Sequence, residues 1–249
     1  MIIRKSVAEI EIMREAGRVS ALALRSVGEK VAPGVSTKDL DAYAEEIIRG
    51  EGGVPAFLGY GGFPATLCTS VNDQVVHGIP SPRVVLREGD VLAVDVGAIV
   101  DGYVGDNAAT YAVGRIAPEL SDLLDITERS LYAAIDAAVV GNRLGDIGHA
   151  VQSLAEGAGY GVIRDYVGHG IGRSMHEEPN VPNFGDPGTG IRLQAGMVLA
   201  IEPMINLGTH RVRTLDDGWT VVTLDGKPSA HFEHTVAITD EGPIVLTQV

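Results

Sequence analysis

Gly89-Asp90-Val91-Leu92-Ala93-Val94-Asp95-Val96-Gly97-Ala98-Ile99-Val100-Asp101-Gly102-Tyr103-Val104-Gly105-Asp106 is the stretch from which the fold can be read. Val91 to Val94 is apolar enough for a buried strand, and Asp101-Gly102 suits a two-residue hairpin turn with positive φ at both centres. A type I′ turn there sets Val100 opposite Tyr103, Asp95 opposite Ala108 and Asp106 opposite Gly97. Side chains alternate faces along a strand, so Asp95 and Asp106 share one face as diagonal neighbours, roughly 7–8 Å apart. Two carboxylates on one face of an apolar strand pair repel each other and lose hydration, so they need a cation or a proton. The hairpin alone also accommodates a plainer arrangement, with one aspartate capping a turn and the other in solvent.

The phrase recurs. Gly89 to Asp95 matches Gly196-Met197-Val198-Leu199-Ala200-Ile201-Glu202 at an offset of 107 residues, which also carries Gly34 onto Gly141, Asp39 onto Asp146, Gly50 onto Gly157 and Gly52 onto Gly159. One offset that aligns a helix start, a helix end and a strand points to an internal repeat. The chain therefore reads as a single domain over 1–249, with half-repeats of about 1–115 and 116–249. The second half has its own partner strand, Phe232 to Ile238, whose Glu233 is expected to stand to Glu202 as Asp106 stands to Asp95. Four carboxylates converging at a pseudo-two-fold axis point to a metal site.

With 45% hydrophobic and 21% charged residues, the composition is that of an ordinary globular protein rather than a disordered or membrane chain. A net charge of −14 argues against a nucleic-acid backbone or an anionic membrane as partner and favours cationic ligands, including metals and free α-amino groups. Cys68 is the only cysteine, which excludes an internal disulfide and a CxxC site and fits a cytoplasmic location. No run of 18 apolar residues is long enough for a membrane span, and Glu9 and Glu11 interrupt any apolar signal core. Nothing in the sequence asks for obligate assembly, so a monomer is expected.

Ser6-x-x-Glu9 is a capping box that opens a helix carrying Ile10, Met13, Leu24 and Val27, and Ser36-Thr37 caps a second that Gly50 and Gly52 stop. Residues 55–82 read as strands and loops. The second half opens with a helix from about Ser121 to Val140, then a shorter one capped by Asp146 and ending near Gly157. Strand-like pieces follow at Gly161 to Val167, Met197 to Glu202 and Phe232 to Ile238. Helix, helix, then strands in each half makes an α+β fold, with helices covering one side of a curved antiparallel sheet.

Gly168-His169-Gly170-Ile171-Gly172-Arg173-Ser174-Met175-His176 is the densest functional text. Glycines around His169 let the backbone approach a ligand, neutral imidazole binds transition metals, and a second imidazole can act as acid, base or donor. His77 could equally mark a strand end, His149 reads as structural or exposed and His210 as facing solvent, and alternation puts His231 on the Glu233 face, as the better candidate to support a ligand from behind, and His234 on the other. Four carboxylates and one imidazole suit Mn²⁺, Fe²⁺ or Co²⁺ better than a structural zinc, and use themselves up on two ions sharing bridging carboxylates. Two such ions, ~3.5–4 Å apart, activate a water and polarise a carbonyl.

These residues resemble the type I methionine aminopeptidases. The likeness spans nearly the whole chain and is carried by Phe57-Leu58-Gly59-Tyr60-Gly61-Gly62-Phe63-Pro64, Asn72-Asp73-Gln74-Val75-Val76-His77-Gly78-Ile79-Pro80, Gly168-His169-Gly170-Ile171-Gly172, Ile201-Glu202-Pro203-Met204 and Glu233-His234-Thr235. The resemblance implies the pita-bread fold and removal of initiator methionine from nascent polypeptide N-termini with a small second residue. It implies five metal ligands, Asp95, Asp106, His169, Glu202 and Glu233, holding two divalent ions (Co²⁺, Mn²⁺, Fe²⁺ or Zn²⁺), with Asp106 and Glu233 bridging. Glu202 would also shuttle the proton, His77 and His176 would contact the substrate backbone and stabilise the tetrahedral intermediate, and Tyr60, Phe63, Cys68 and Trp219 would form the methionine pocket. Gly61, Met175 and His231 stand where histidine, phenylalanine and glutamine are frequent. The chain is similar to the short bacterial form, without a zinc-binding extension or a large insert, and ribosome association is left open. Two alternatives are a proline-specific peptidase of the same fold and a non-catalytic pita-bread peptide-binding protein. The first usually has an extra N-terminal domain, and the second loses ligands that all stand here.

Overall fold

Serine caps start the first two helices. In the computed structural model, which describes residues 1–249, α1 (Val7–Gly28) begins where Ser6 Oγ accepts from the Glu9 amide and Glu9 Oε2 accepts from the Ser6 amide. The two reciprocal bonds satisfy helix-end donors that would otherwise be orphaned. Ser36 does the same for α2 (Thr37–Gly50) through the Asp39 amide. Two expected boundaries move. α3 spans Pro118–Ala137 rather than starting near Ser121, because Pro118 occupies the first helical turn, where its missing N–H costs nothing. In α4 (Leu144–Gly157), Asp146 lies inside the first turn and reaches back to accept from the Arg143 amide at 2.7 Å, so it is not the N-cap itself.

Between the helix pairs run β1 (Val54–Pro55), β2 (Leu67–Val71), β3 (Gln74–Val76), β4 (Val91–Val100) and β5 (Tyr103–Ala112). The second half supplies β6 (Gly161–Val162), β7 (Gly168–Gly170), β8 (Glu177–Val181), β9 (Val198–Ile201) and β10 (Met204–Asn206). It closes with β11 (Val212–Thr214), β12 (Val221–Thr223), β13 (Ser229–His231), β14 (Glu233–Thr239) and β15 (Gly242–Val245). Nine strands form one antiparallel sheet along β1-β4-β5-β14-β9-β7-β8, with β2 on β4 and β15 on β14. Two three-stranded sheets, β13-β10-β6 and β11-β12-β3, flank it. No helix is long and apolar enough to cross a membrane.

The β4–β5 turn is as the sequence demands: Asp101 and Gly102 have φ of 48° and 75°, and Val100 pairs with Tyr103. Two expected strands are shorter. The stretch Gly161 to Val167 pairs only at Gly161–Val162, and Met197 to Glu202 only over Val198–Ile201; the last strand keeps its length but runs Glu233–Thr239, because Phe232 bonds its amide to Pro203 O and leaves β13 and β14 in different sheets. That crossing brings His231 and Glu233 to one place from two sheets.

One face of the large sheet is covered. Leu92, Val94, Val96 and Ala98 of β4 bury against Val19, Ala23 and Val27 of α1 and Leu40, Ala44 and Ile48 of α2. Leu199, Ile201, Val236 and Ile238 bury against Leu123, Leu131 and Ile135 of α3 and Ile147 and Val151 of α4. Each fully buried aliphatic side chain stabilises the fold by roughly 1.5–3 kcal/mol, so these two clusters fix which face of each strand remains for other uses. The alternate residues Asp95, Glu233 and His169 face the other way.

Helix α1 meets β5 at bare backbone, since a Cβ on Gly105 would overlap the backbone of Ala16 and Gly17. Gly105→Ala is therefore expected to destabilise by about 1–3 kcal/mol. Gly50→Ala, at a site with nothing within 4 Å of an added Cβ, is the control. Thermal unfolding should show a lowered Tm for the first only, and equal Tm values for both would contradict this packing.

Candidate active site and metal centre

Register builds the site. Cys68 pairs with Asp95, Asp95 with Ala108, and Ala108 with Glu233, so these residues form a line across β2, β4, β5 and β14 on one face. His234 pairs with Ile201, and continuing that register by one residue brings Glu202 into the same line. Asp106 stands two residues from Ala108 on β5, and His169 pairs with Ala200, two residues from Glu202. All five candidate ligands thus share a face. The expected symmetry is only approximate: Asp106 lies across from Gly97, diagonal to Asp95, whereas Glu233 lies directly across from Glu202. His169, not Glu233, holds the diagonal place beside Glu202.

Burial makes this arrangement costly without a cation. Asp106, His169 and Glu233 are 4%, 6% and 2% exposed. Asp95 Oδ1, Asp106 Oδ1 and Glu233 Oε1 are buried without a hydrogen-bond partner. Loss of hydration pushes the Asp95 carboxyl up to about 7 and that of Glu202 up to about 8. Desolvation, with repulsion from the neighbouring carboxylates, raises Asp106 and Glu233 as well. The only ion-pair partners of Asp106, Glu202 and Glu233 are imidazoles: His169 Nε2 lies 4.0 Å from Asp106 Oδ2 and 3.6 Å from Glu202 Oε1, and His231 Nε2 3.6 Å from Glu202 Oε2 and 3.9 Å from Glu233 Oε2. Orphaned acidic oxygens converging with imidazole nitrogens, without lysine or arginine, fit divalent cations. Asp106, His169 and Glu233 form one such group of donor atoms, and Glu202, His231 and Glu233 another.

The histidines are poised as neutral bases and donors. His169 Nδ1 donates to Gly170 O at 2.9 Å, which leaves Nε2 free as a ligand atom facing the carboxylates. Burial pulls the His169 and His77 imidazoles down to about 4, and His176 is lowered too. His77 has φ of 60°, a left-handed conformation uncommon for a side-chain-bearing residue, and Gly78 holds it there by accepting from Thr69 N and donating to Ser70 Oγ. His176 Nδ1 is 2.8 Å from Tyr60 Oη. The adjoining Glu177 is fixed by Lys5 Nζ at 2.6 Å, with both side chains less than 10% exposed.

One cavity of ≈ 150 Å³ gathers every residue singled out in the sequence as a ligand, catalytic group or pocket wall. Phe63 and Trp219 meet edge to face at 5.1 Å, with Cys68 buried beside Asp95. Tyr60 is 45% exposed and sits at the rim. Phe57 and Met175 also line this cavity. They stood in the quoted phrases without an assigned role, since each comes from a loop that no periodicity marks. His149 and His210 are exposed, as expected, and His234 faces away to bond Thr247 Oγ1 through Nδ1 at 2.8 Å.

A carboxyl whose folded pKa lies above its unfolded value favours the folded state only while protonated, so stability is lost as pH rises through that interval. The depressed histidines act oppositely, but only up to their unfolded value of 6.5. The metal-free protein should therefore lose Tm between pH 6.5 and 8, where Asp95 and Glu202 are forced to ionise. A flat or rising Tm over that window, measured in chelator by calorimetry, would contradict the burial described above.

The sequence matches metallopeptidase family M24 over residues 11–240. It is 53% identical to the methionine aminopeptidase of Clostridium acetobutylicum over 99% of both chains, and 51% identical to methionine aminopeptidase 1 of Bacillus subtilis over 100% of both. The structure superposes on the crystal structure of methionine aminopeptidase from Thermotoga maritima with a TM-score of 0.99 over 100% of both chains, at 47% identity. The curved antiparallel sheet with its covering helices is thus the pita-bread fold, and the chain belongs to the methionine aminopeptidases of metallopeptidase family M24.

Proposed function

We propose that the protein removes methionine from the free N-terminus of nascent polypeptides with a small second residue, using two divalent ions held by Asp95, Asp106, His169, Glu202 and Glu233. The observation that carries this reading is a single cavity whose wall joins the carboxylates and imidazoles to the apolar side chains Phe57, Phe63, Cys68, Met175 and Trp219. At ≈ 150 Å³ it is well below the ~300–1,000 Å³ of sites for drug-sized ligands, which suits one side chain of a peptide. A thioether gains ~0.3–1.5 kcal/mol against aromatic rings. The Cys68 thiol, raised by burial and by the Asp95 charge, stays neutral in that wall. With the ions held, a free α-amino group would bind one of them, which an acetylated N-terminus cannot do.

When bound, a pair of divalent ions supplies a nucleophile from water at neutral pH and Lewis-acid polarisation of the scissile carbonyl. Glu202, ionised once the ions are held, would take the proton from the attacking water and pass it to the leaving amine. Neutral His77 and His176 donate N–H groups to the carbonyl oxygen as it gains charge. For His176 the bond between Tyr60 Oη and Nδ1 leaves Nε2 to carry that proton. The same reading makes 1–249 one catalytic unit of two half-repeats, about 1–115 and 116–249. It places the protein in the cytoplasm as a monomer, with ribosome association a further expectation.

Metal-stripped protein given Mn²⁺, Fe²⁺, Co²⁺ or Zn²⁺ in turn should release methionine from Met-Ala-Ser and leave N-acetyl-Met-Ala-Ser intact, as followed by mass spectrometry. No release with any ion would contradict the reading. Glu202→Gln should keep Tm within a few degrees and lower kcat by about 10²–10⁴-fold. A near-wild-type kcat in that variant would remove the proton-transfer role.

A further inference from the structure

Lys5 is the only buried lysine or arginine in the chain, at 7% exposed. A lysine is almost never buried unless it is paired. Its partner is Glu177, whose Oε2 lies 2.6 Å from Nζ, with the two side chains 3% and 8% exposed. Nζ also donates to Ile3 O at 3.3 Å, and Glu177 Oε1 accepts from the Ser174 amide at 3.3 Å. Apolar side chains of similar volume often replace a buried ion pair without loss of stability, so stability alone does not account for this one.

The pair stands where it controls a histidine of the cavity. The backbone ahead of α1 is itself anchored, with the Lys5 amide donating to Gly196 O and Arg4 Nε donating to Ala195 O, both at 2.6 Å. Glu177 opens β8, pairs with Gly170 and directly follows His176. Residues 171–176 close tightly over the pair, since a Cβ on Gly172 would overlap Lys5 Cε and Glu177 Oε1. Gly172 O is held in turn by the Val104 amide at 2.9 Å. The His176 side chain has one hydrogen bond, to Tyr60 Oη, and Tyr60 is 45% exposed. That bond turns the ring. The backbone from which the ring projects is fixed from behind, at Glu177.

Resting on the role given above to His176 as an N–H donor to the reacting carbonyl, we propose that Lys5 is a positioning residue for methionine removal. Its buried ammonium holds Glu177, and through Glu177 sets where His176 stands in the cavity. Misplacing such a donor by about 1 Å costs on the order of 10²-fold in rate. None of the five candidate ligands bonds to the pair, so the loss falls on kcat rather than on metal content.

The test compares wild type, Lys5→Met, His176→Ala and the double variant Lys5→Met/His176→Ala, all loaded with Mn²⁺, for bound metal and for methionine release from Met-Ala-Ser. Lys5→Met should lower kcat by about 10–100-fold with KM and bound Mn²⁺ within about twofold of wild type. Added to His176→Ala, the same change should lower kcat by less than about twofold. Equal losses in the two backgrounds would overturn the proposal, because a purely structural lysine acts whether or not His176 is present. Lys5→Met strands the Glu177 charge, so Lys5→Met/Glu177→Met, which removes both charges, is the second test. Its Tm should lie within a few degrees of wild type while kcat stays about tenfold or more below it. Recovery of kcat together with Tm would overturn the proposal. An unchanged kcat in His176→Ala would instead overturn the role given to His176, and this inference with it.

Discussion

Repulsion among four carboxylates on one sheet face, in a place that water scarcely reaches, is the constraint on which the rest of the structure depends. Packing cannot relieve it, because the opposite face of the same strands is committed to the helices through Leu92, Val94, Val96, Leu199 and Val236. A one-residue slip in any of these strands would turn its acid into the core and its apolar residues outward. The two large clusters that stabilise the fold therefore also hold the charges together. Stability and site are set by one register, and the destabilisation that the acids cause is relieved only by protons or cations.

That constraint orders the surrounding chemistry. The imidazoles near the acids are desolvated as well, which disfavours their charged form and leaves ring nitrogens beside the acids rather than competing cations. Each one's orientation is set from outside: His169 by Gly170 O, His176 by Tyr60 Oη, His77 by a left-handed backbone fixed on β2, and His231 by Thr110. Cys68, directly opposite Asp95, is where the acidic row meets the apolar wall. The candidate ligands and the apolar wall thus share one short line of residues.

How much of this could be read from the sequence differs by element. The β4–β5 register was legible because Asp101-Gly102 admits essentially one hairpin geometry, and the partners of Asp95 and Asp106 follow by counting. The acid at the end of β9 was legible through the 107-residue repeat. The exact relation of Glu233 to Glu202 was not, because the strands between them join two small sheets with β3 and β6, so the register of β14 is set by contacts remote in sequence. The break at Phe232 was hidden, since apolar alternation runs straight through it while the backbone leaves one sheet for another. Phe57 and Met175 were quoted but unassigned, because residues of a pocket wall built from loops obey no period. Asp146 was correctly sensed as a helix-start residue, but a carboxylate three residues inside a helix can serve the same amide from the other side.

The most direct test of the central claim is a count of the protons released when metal-stripped protein binds Mn²⁺ or Co²⁺ at pH 6.5, by titration calorimetry in buffers of different ionisation enthalpy. Acids held protonated by burial must give up those protons to bind a cation, and imidazoles already neutral give up none. The account predicts net release of at least about one proton per protein, decreasing as the pH is raised past 8. Binding without proton release at pH 6.5 would show that the four carboxylates are ionised before the metal arrives, and would contradict the claim that their enforced proximity governs this fold.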